Sequence, residues 1–154
     1  MIQNDIIKKN KELCEKYPFL IPTNAFTGKV IDNYDYSYTL LDQINDGWRI
    51  AFGEKLCQEL KEALEKDNSL NTFKFIQIKE KYGSLRLYYV GGNNETSDII
   101  YKYEELSKFI CIKCGKLATK VTTGWIYPYC DKCADTYAKY NYIADIHDFY
   151  KNPF

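Results

Sequence analysis

A chain of 154 residues, 45% hydrophobic and 27% charged, is sized for one domain, or one with a small appendage, and is long enough to bury its own core. Lysine plus arginine equals aspartate plus glutamate at 21 each, so no surplus cation is available to release counterions from a phosphate backbone, which argues against non-specific duplex binding. No apolar run approaches the ~18 residues of a membrane helix, and the polar start MIQNDIIKKN does not read as a signal peptide, so a cytoplasmic location is expected.

Residues 5–17 place Ile6, Ile7, Leu13, Cys14 and Tyr17 on one face of a short helix ended by Pro18. The segment PFLIPTNAFTG reads as extended. Tyr34, Tyr36 and Tyr38 alternate with polar residues, which would put three phenol rings on one side of an extended run. Asp46 is placed to cap a helix whose apolar residues Trp48, Phe52, Leu56, Leu60 and Leu64 recur every four positions. FKFIQIK and LRLYYV, joined by EKYGS, form a hairpin, and GGNN is a turn. Thr96 or Ser97 then caps a helix built on Ile99, Tyr103, Leu106 and Ile110. The chain reads as α+β: helices packed on a small antiparallel hairpin or sheet over residues 1–107, followed by a cysteine-rich module over residues 108–154.

Cys111, Cys114, Cys130 and Cys133 are spaced as CIKC, fifteen residues, CDKC. Each pair can bite one ion from a single tight turn, and four thiolates satisfy the tetrahedron of Zn2+. In a reducing compartment such paired motifs read as metal ligands rather than disulfides. Gly115 suits the turn of a zinc knuckle. LATKVTTGWIYPY reads as two short strands turning near Gly124, and a helix over residues 131–144 opens at the second pair. Knuckle, hairpin and helix in this order resemble a treble clef. With all ligands from protein, a closed, structural zinc site is expected, and four thiolates around one such ion would leave the chain at about −2. Cys14 and Cys57 fall on apolar helix faces and read as small core residues.

No catalytic constellation stands out. His147, the one histidine, sits between Asp145 and Asp148 near the end of the sequence and reads as solvated, as do Asp32, Asp35, Asp42 and Asp46. GxSxG, HExxH, P-loop and GxGxxG motifs are absent. The segment IKEKYGSLRLYY, residues 78–89, reads either as a surface hairpin with Arg86 on its wet face paired with Glu80, or as an anion-plus-ring site from Lys79, Lys81, Arg86 and Tyr88, with Trp48, Arg49 and Trp125 as further candidates.

Four stretches, YPFLIPTNAFTGKV, LDQINDGWRIAFGEKLCQELKEAL, QIKEKYGSLRLYY and CIKCGKLATKVTTGWIYPYCDKC, lie in order over residues 17–134. Together they resemble a family of small proteins encoded by bacteriophages and prophages of gut Firmicutes and related bacteria. The chain departs from that pattern at Ile44-Asn45, where a proline is expected before Asp46-Gly47-Trp48, and at Leu87, where tryptophan is common. The resemblance brings no activity with it. It implies a phage accessory protein that binds a host component, with counter-defence a frequent purpose, by inhibiting a defence protein or sequestering a small nucleotide-type signal. The alternative partner is nucleic acid, bound through Lys108, Lys113, Lys116, Lys120 and Lys132 of a treble-clef or zinc-ribbon module. A nuclease-like enzyme is poorly supplied, because such sites use histidines for their catalytic metal.

Overall fold

In the computed structural model, which describes residues 2–151, helices and small antiparallel sheets make an α+β fold. The chain divides into two compact units. One comprises Met1–Gln43, Glu54–Ile78 and Leu87–Ile100; the other comprises Ile44–Gly53, Lys79–Arg86 and Tyr101–Phe154. The second unit thus draws two earlier stretches to the cysteine-rich end.

In the first unit, α1 (Ile2–Lys16) stops just before Pro18, as the clash between a proline ring and the preceding residue requires. Pro18–Leu20 then makes a single 3₁₀ turn where the sequence suggested an extended run. The expected alternation of Tyr34, Tyr36 and Tyr38 along an extended segment is also not what forms. Asn33 and Tyr36 take positive φ (59° and 62°), and the chain bends instead. The rings still meet, with Tyr34 4.7 Å from Tyr36 and 5.6 Å from Tyr38 between centroids. Asn10 Nδ2 holds the bend by donating to Tyr36 O at 2.8 Å. The core centres on Phe19, Phe73 and Phe75, which meet edge-on at 5.4–5.5 Å. Burying each ring contributes roughly 2–3 kcal/mol, and edge-to-face geometry adds to that.

One helical run begins as α2 (Asp46–Trp48), widens into a π turn over Arg49–Gly53, and continues as α3 (Glu54–Glu65). The π turn explains the four-residue spacing. In a regular α-helix, positions four apart drift by about 40° per step, and one wider turn rotates the stripe back. Trp48, Phe52, Leu56, Leu60 and Leu64 are all buried. The N-cap is Asn45 rather than Asp46, which is already inside the first turn. Strands β1 (Lys74–Lys81) and β2 (Ser84–Val90) are joined by Tyr82-Gly83, both at positive φ (53° and 78°). That pair of angles belongs to a type I′ turn.

Helix α4 (Asn94–Ser107) is capped by Asn93 rather than by Thr96 or Ser97. Asn93 Oδ1 accepts from Thr96 N at 2.9 Å, and Thr96 Oγ1 accepts from Asn93 N at 2.8 Å. This is a reciprocal box in which the hydroxyl sits three residues inside the cap. The buried stripe is Thr96, Ile100, Tyr103 and Ser107, while Leu106, expected inside, is exposed. Two hydroxyls can be buried here because each is hydrogen-bonded: Ser107 Oγ accepts from Leu85 N at 2.8 Å and donates to Glu104 O.

In the second unit β3 (Lys120–Thr122) is the middle strand, antiparallel to β4 (Pro128–Tyr129) and to β5 (Ile143–Asp145). Helix α5 (Asp131–Tyr137) is half the length expected from the sequence. Beyond it the chain turns back as β5, pairing Val121 with Ala144, and ends in α6 (Ile146–Lys151). The returning strand gives the open edge of β3 its hydrogen bonds and seats Ile146 against Val121 and Ala118. Asp145 Oδ1 accepts from the backbone N–H of His147 and of Asp148, so it serves as the cap of α6. The exposed His147 ring stacks on Phe109 at 6.1 Å. Among the described residues no helix is long and apolar enough to cross a membrane.

Replacing Asn93 with Ala removes the cap of α4 and is expected to cost about 1 kcal/mol, a fall in Tm of about 2–4 °C by differential scanning calorimetry.

Candidate metal centre

The first cysteine pair sits in a tight loop. Ile110 bridges to Leu117, Cys111 N donates to Lys116 O at 2.7 Å, and Gly115 N donates to Cys111 O at 3.0 Å. Gly115 closes the turn at φ 83°, a conformation a side chain resists. The second pair opens α5. Cys130 is its N-cap and Cys133 lies in its first turn, with Cys133 N donating to Cys130 Sγ at 3.4 Å. Strand β4 delivers Cys130 to the loop, because Ile112 N donates to Pro128 O at 3.0 Å. Loop, hairpin and helix therefore have the treble-clef arrangement.

The four Sγ atoms lie within 4.8 Å of one another, and Cys114 Sγ is 3.6 Å from Cys130 Sγ. A disulfide would bring two sulfurs to about 2.0 Å. A tetrahedron with arms of about 2.3 Å has edges of about 3.8 Å. The cluster fits one metal ion held by four thiolates. Cys111, Cys130 and Cys133 are buried and Cys114 is half-buried.

The surroundings differ between sulfurs. Burial pushes the Cys111 thiol up, but backbone N–H groups of Cys130, Cys114 and Lys113 outweigh it and bring the thiol down to about 7. Burial, reinforced by contacts with the three other cysteines, pushes Cys133 up to about 12. Cys114 is also raised. One thiolate is thus prepared by the backbone, whereas four together need a cation among them.

The knuckle rests on the start of the π-interrupted helix. Gly47 N donates to Ile112 O at 2.9 Å, and Trp48 Nε1 donates to Ile110 O at 3.0 Å. A Cβ at Gly47 would lie 2.1 Å from Cys111 O and 2.7 Å from Ile112 O. One at Gly115 would lie 2.7 Å from Gly47 O. These are backbone atoms, which cannot swing aside. The DGW segment is therefore a cradle for the ligand loop, a role that only its Gly-Trp pair, far in sequence from the four clustered cysteines, could have hinted at.

The other candidates from the sequence fall in different places. Trp48 has no exposed surface, so it anchors the loop and offers no face to a ligand. Trp125, in the same Gly-Trp context, is 68% exposed. Lys81 and Trp125 line a cleft of about 290 Å³ together with Glu80, Tyr82, Gly124 and Ile126. Lys79, Arg49 and Arg86 belong to the same unit and are half-buried; Arg86 Nε is buried without a hydrogen-bond partner. Tyr88 belongs to the first unit and is exposed. Tyr82, between the two β-rich runs, is not among those candidates, since Tyr-Gly is not one of the pairs that signal a type I′ turn. Cys14 and Cys57 are buried, and burial raises the Cys14 thiol. Compared with family models, curated proteins and solved structures, the chain matches none.

Two outcomes follow. Gly47→Ala should lower stability by roughly 3 kcal/mol, a Tm drop of about 6–12 °C, and should weaken metal retention in a competition with a colorimetric chelator. Metal-held thiolates have depressed pKa values, so their contribution is present above the ordinary thiol pKa and is lost as pH falls through the held value. Thermal melts of the metal-loaded protein should therefore fall with acidification, and a strong chelator at neutral pH should reproduce the low-pH curve.

Proposed function

We propose that Cys111, Cys114, Cys130 and Cys133 hold one structural zinc ion, and that the protein is a non-catalytic binding module. In this reading it is a phage accessory protein that blocks a host defence protein or sequesters a nucleotide signal. The observation that carries the proposal is the donor set itself. Four sulfurs from the chain lie close enough to supply a whole tetrahedron, which would leave no coordination place for a substrate or a reacting water. Sulfur-rich surroundings favour zinc over harder cations. His147, the one histidine, is not among the clustered ligands and stacks on Phe109. The phage context rests on the four sequence stretches that resemble that family.

A second reading, nucleic-acid binding, draws support from charge distribution. In the unit that holds the cysteines, lysine and arginine outnumber aspartate and glutamate. Lys113 lies 4.9 Å over the Tyr137 ring and Lys139 5.2 Å over Tyr140, and both rings are exposed. Cations interleaved with open rings suit single strands.

Elemental mass spectrometry of the purified protein should find one zinc per chain. Immobilised protein incubated with host extract should retain a partner, identified by mass spectrometry, whose mass is unchanged after release. Release of a chemically altered compound, with turnover on repeated addition, would overturn the non-catalytic reading.

A further inference from the structure

The turn between β1 and β2 carries a residue that its geometry disfavours. Position one of a type I′ turn calls for Asn, Asp or Gly, because φ is positive there. This chain places Tyr82 at φ 53°, with its ring 70% exposed. A bulky residue held in the left-handed region without burying its ring costs stability and returns nothing to the fold. The turn is nevertheless clamped. Gly83, at φ 78°, packs so closely that a Cβ would lie 2.6 Å from Ile126 Cγ2 and 3.1 Å from Ile126 O. Glu80 Oε2 accepts from Gly83 N at 2.8 Å, which commits that carboxylate to the turn. On the other wall, Thr122 Oγ1 donates to Trp125 O and accepts from Tyr127 N at 2.9 Å. Trp125 is therefore presented by a braced turn, in edge contact with Tyr127 at 6.2 Å.

Two rings on two fixed turns, both largely open, thus line one cleft together with Ile126. Lys81 shares the cleft and sits 5.6 Å over the Tyr82 ring. A saturated side chain would need apolar surface but neither a flat π face nor a cation. A flat, π-rich group carrying negative charge uses all three.

We propose that this cleft binds a nucleotide, with the base stacked on Trp125 and Tyr82 and a phosphate meeting Lys81. The inference rests on the binding-module reading above and names the ligand class for it. The base-plus-phosphate chemistry has two sources, a free nucleotide and a single strand, and both enter the test.

The test titrates AMP, adenosine, ribose 5-phosphate, a ten-nucleotide oligodeoxyadenylate and a phosphotyrosine peptide into the zinc-loaded full-length protein, following tryptophan fluorescence and calorimetry. AMP or the oligonucleotide should bind, with adenosine and ribose 5-phosphate each at least about tenfold weaker than AMP. Trp125→Ala should lose about tenfold or more. Lys81→Gln should weaken AMP and leave adenosine unchanged. Tyr82→Asn is the decisive variant, because Asn suits the turn: its melting temperature should equal or exceed that of the wild type while affinity falls about tenfold. If the oligonucleotide binds with steep salt dependence and AMP does not, the source is a strand; the reverse marks a free nucleotide. Absence of binding by both at millimolar concentration, unchanged affinity in Tyr82→Asn, or preference for a phosphotyrosine peptide would overturn the proposal. Retention of a host protein partner by Tyr82→Asn at wild-type level would place the error in the cleft and leave the binding-module reading standing.

Discussion

The metal-ligand loop is held by close backbone packing, at the point where Gly47 meets the carbonyl groups of Cys111 and Ile112. Hydrogen bonds from Gly47 N and from the Trp48 indole fix the same carbonyl row. Contacts of this kind leave no slack, since each partner is itself part of a hydrogen-bonded turn. Sulfur positions in the knuckle inherit that precision, and the second pair is added by β4 and the cap of α5. The order of events is thus from a glycine's missing methyl to a loop's shape to a set of four donors.

The clustered sulfurs also bear on the stability of this unit. An ion held among them would tie the knuckle to α5 in a module whose own apolar cluster, Ala118, Val121 and Ile146 with partly buried neighbours, is modest. Several side chains of the same unit stand open. The Trp125 and Tyr82 rings stand on short, braced turns of the kind that hold functional groups without themselves contributing to a core.

Much of this was legible in the sequence where local chemistry and structure coincide. The two CxxC pairs, the hairpin, the four-residue apolar stripe and the burial of Cys14 and Cys57 all follow from spacing or periodicity. Readings failed where a distant partner decides. Burial of α4 is rotated because Ser107 finds Leu85 N, which periodicity cannot see. The length of α5 is cut by pairing of β5 with β3, a contact across more than twenty residues. Trp48 and Trp125 share a Gly-Trp context and part company entirely, one sealed against Ile110 O and the other standing in a cleft wall. Alternation of the three tyrosines suggested a strand, yet two left-handed residues gather the rings by bending the chain.

The central claim is that four sulfurs and nothing else surround the ion. X-ray absorption spectroscopy at the zinc edge of the purified protein tests it most directly. The account predicts four sulfur scatterers at about 2.3 Å. A nitrogen or oxygen scatterer at about 2.0–2.1 Å would mean a ligand the chain does not supply from these cysteines, and would contradict it.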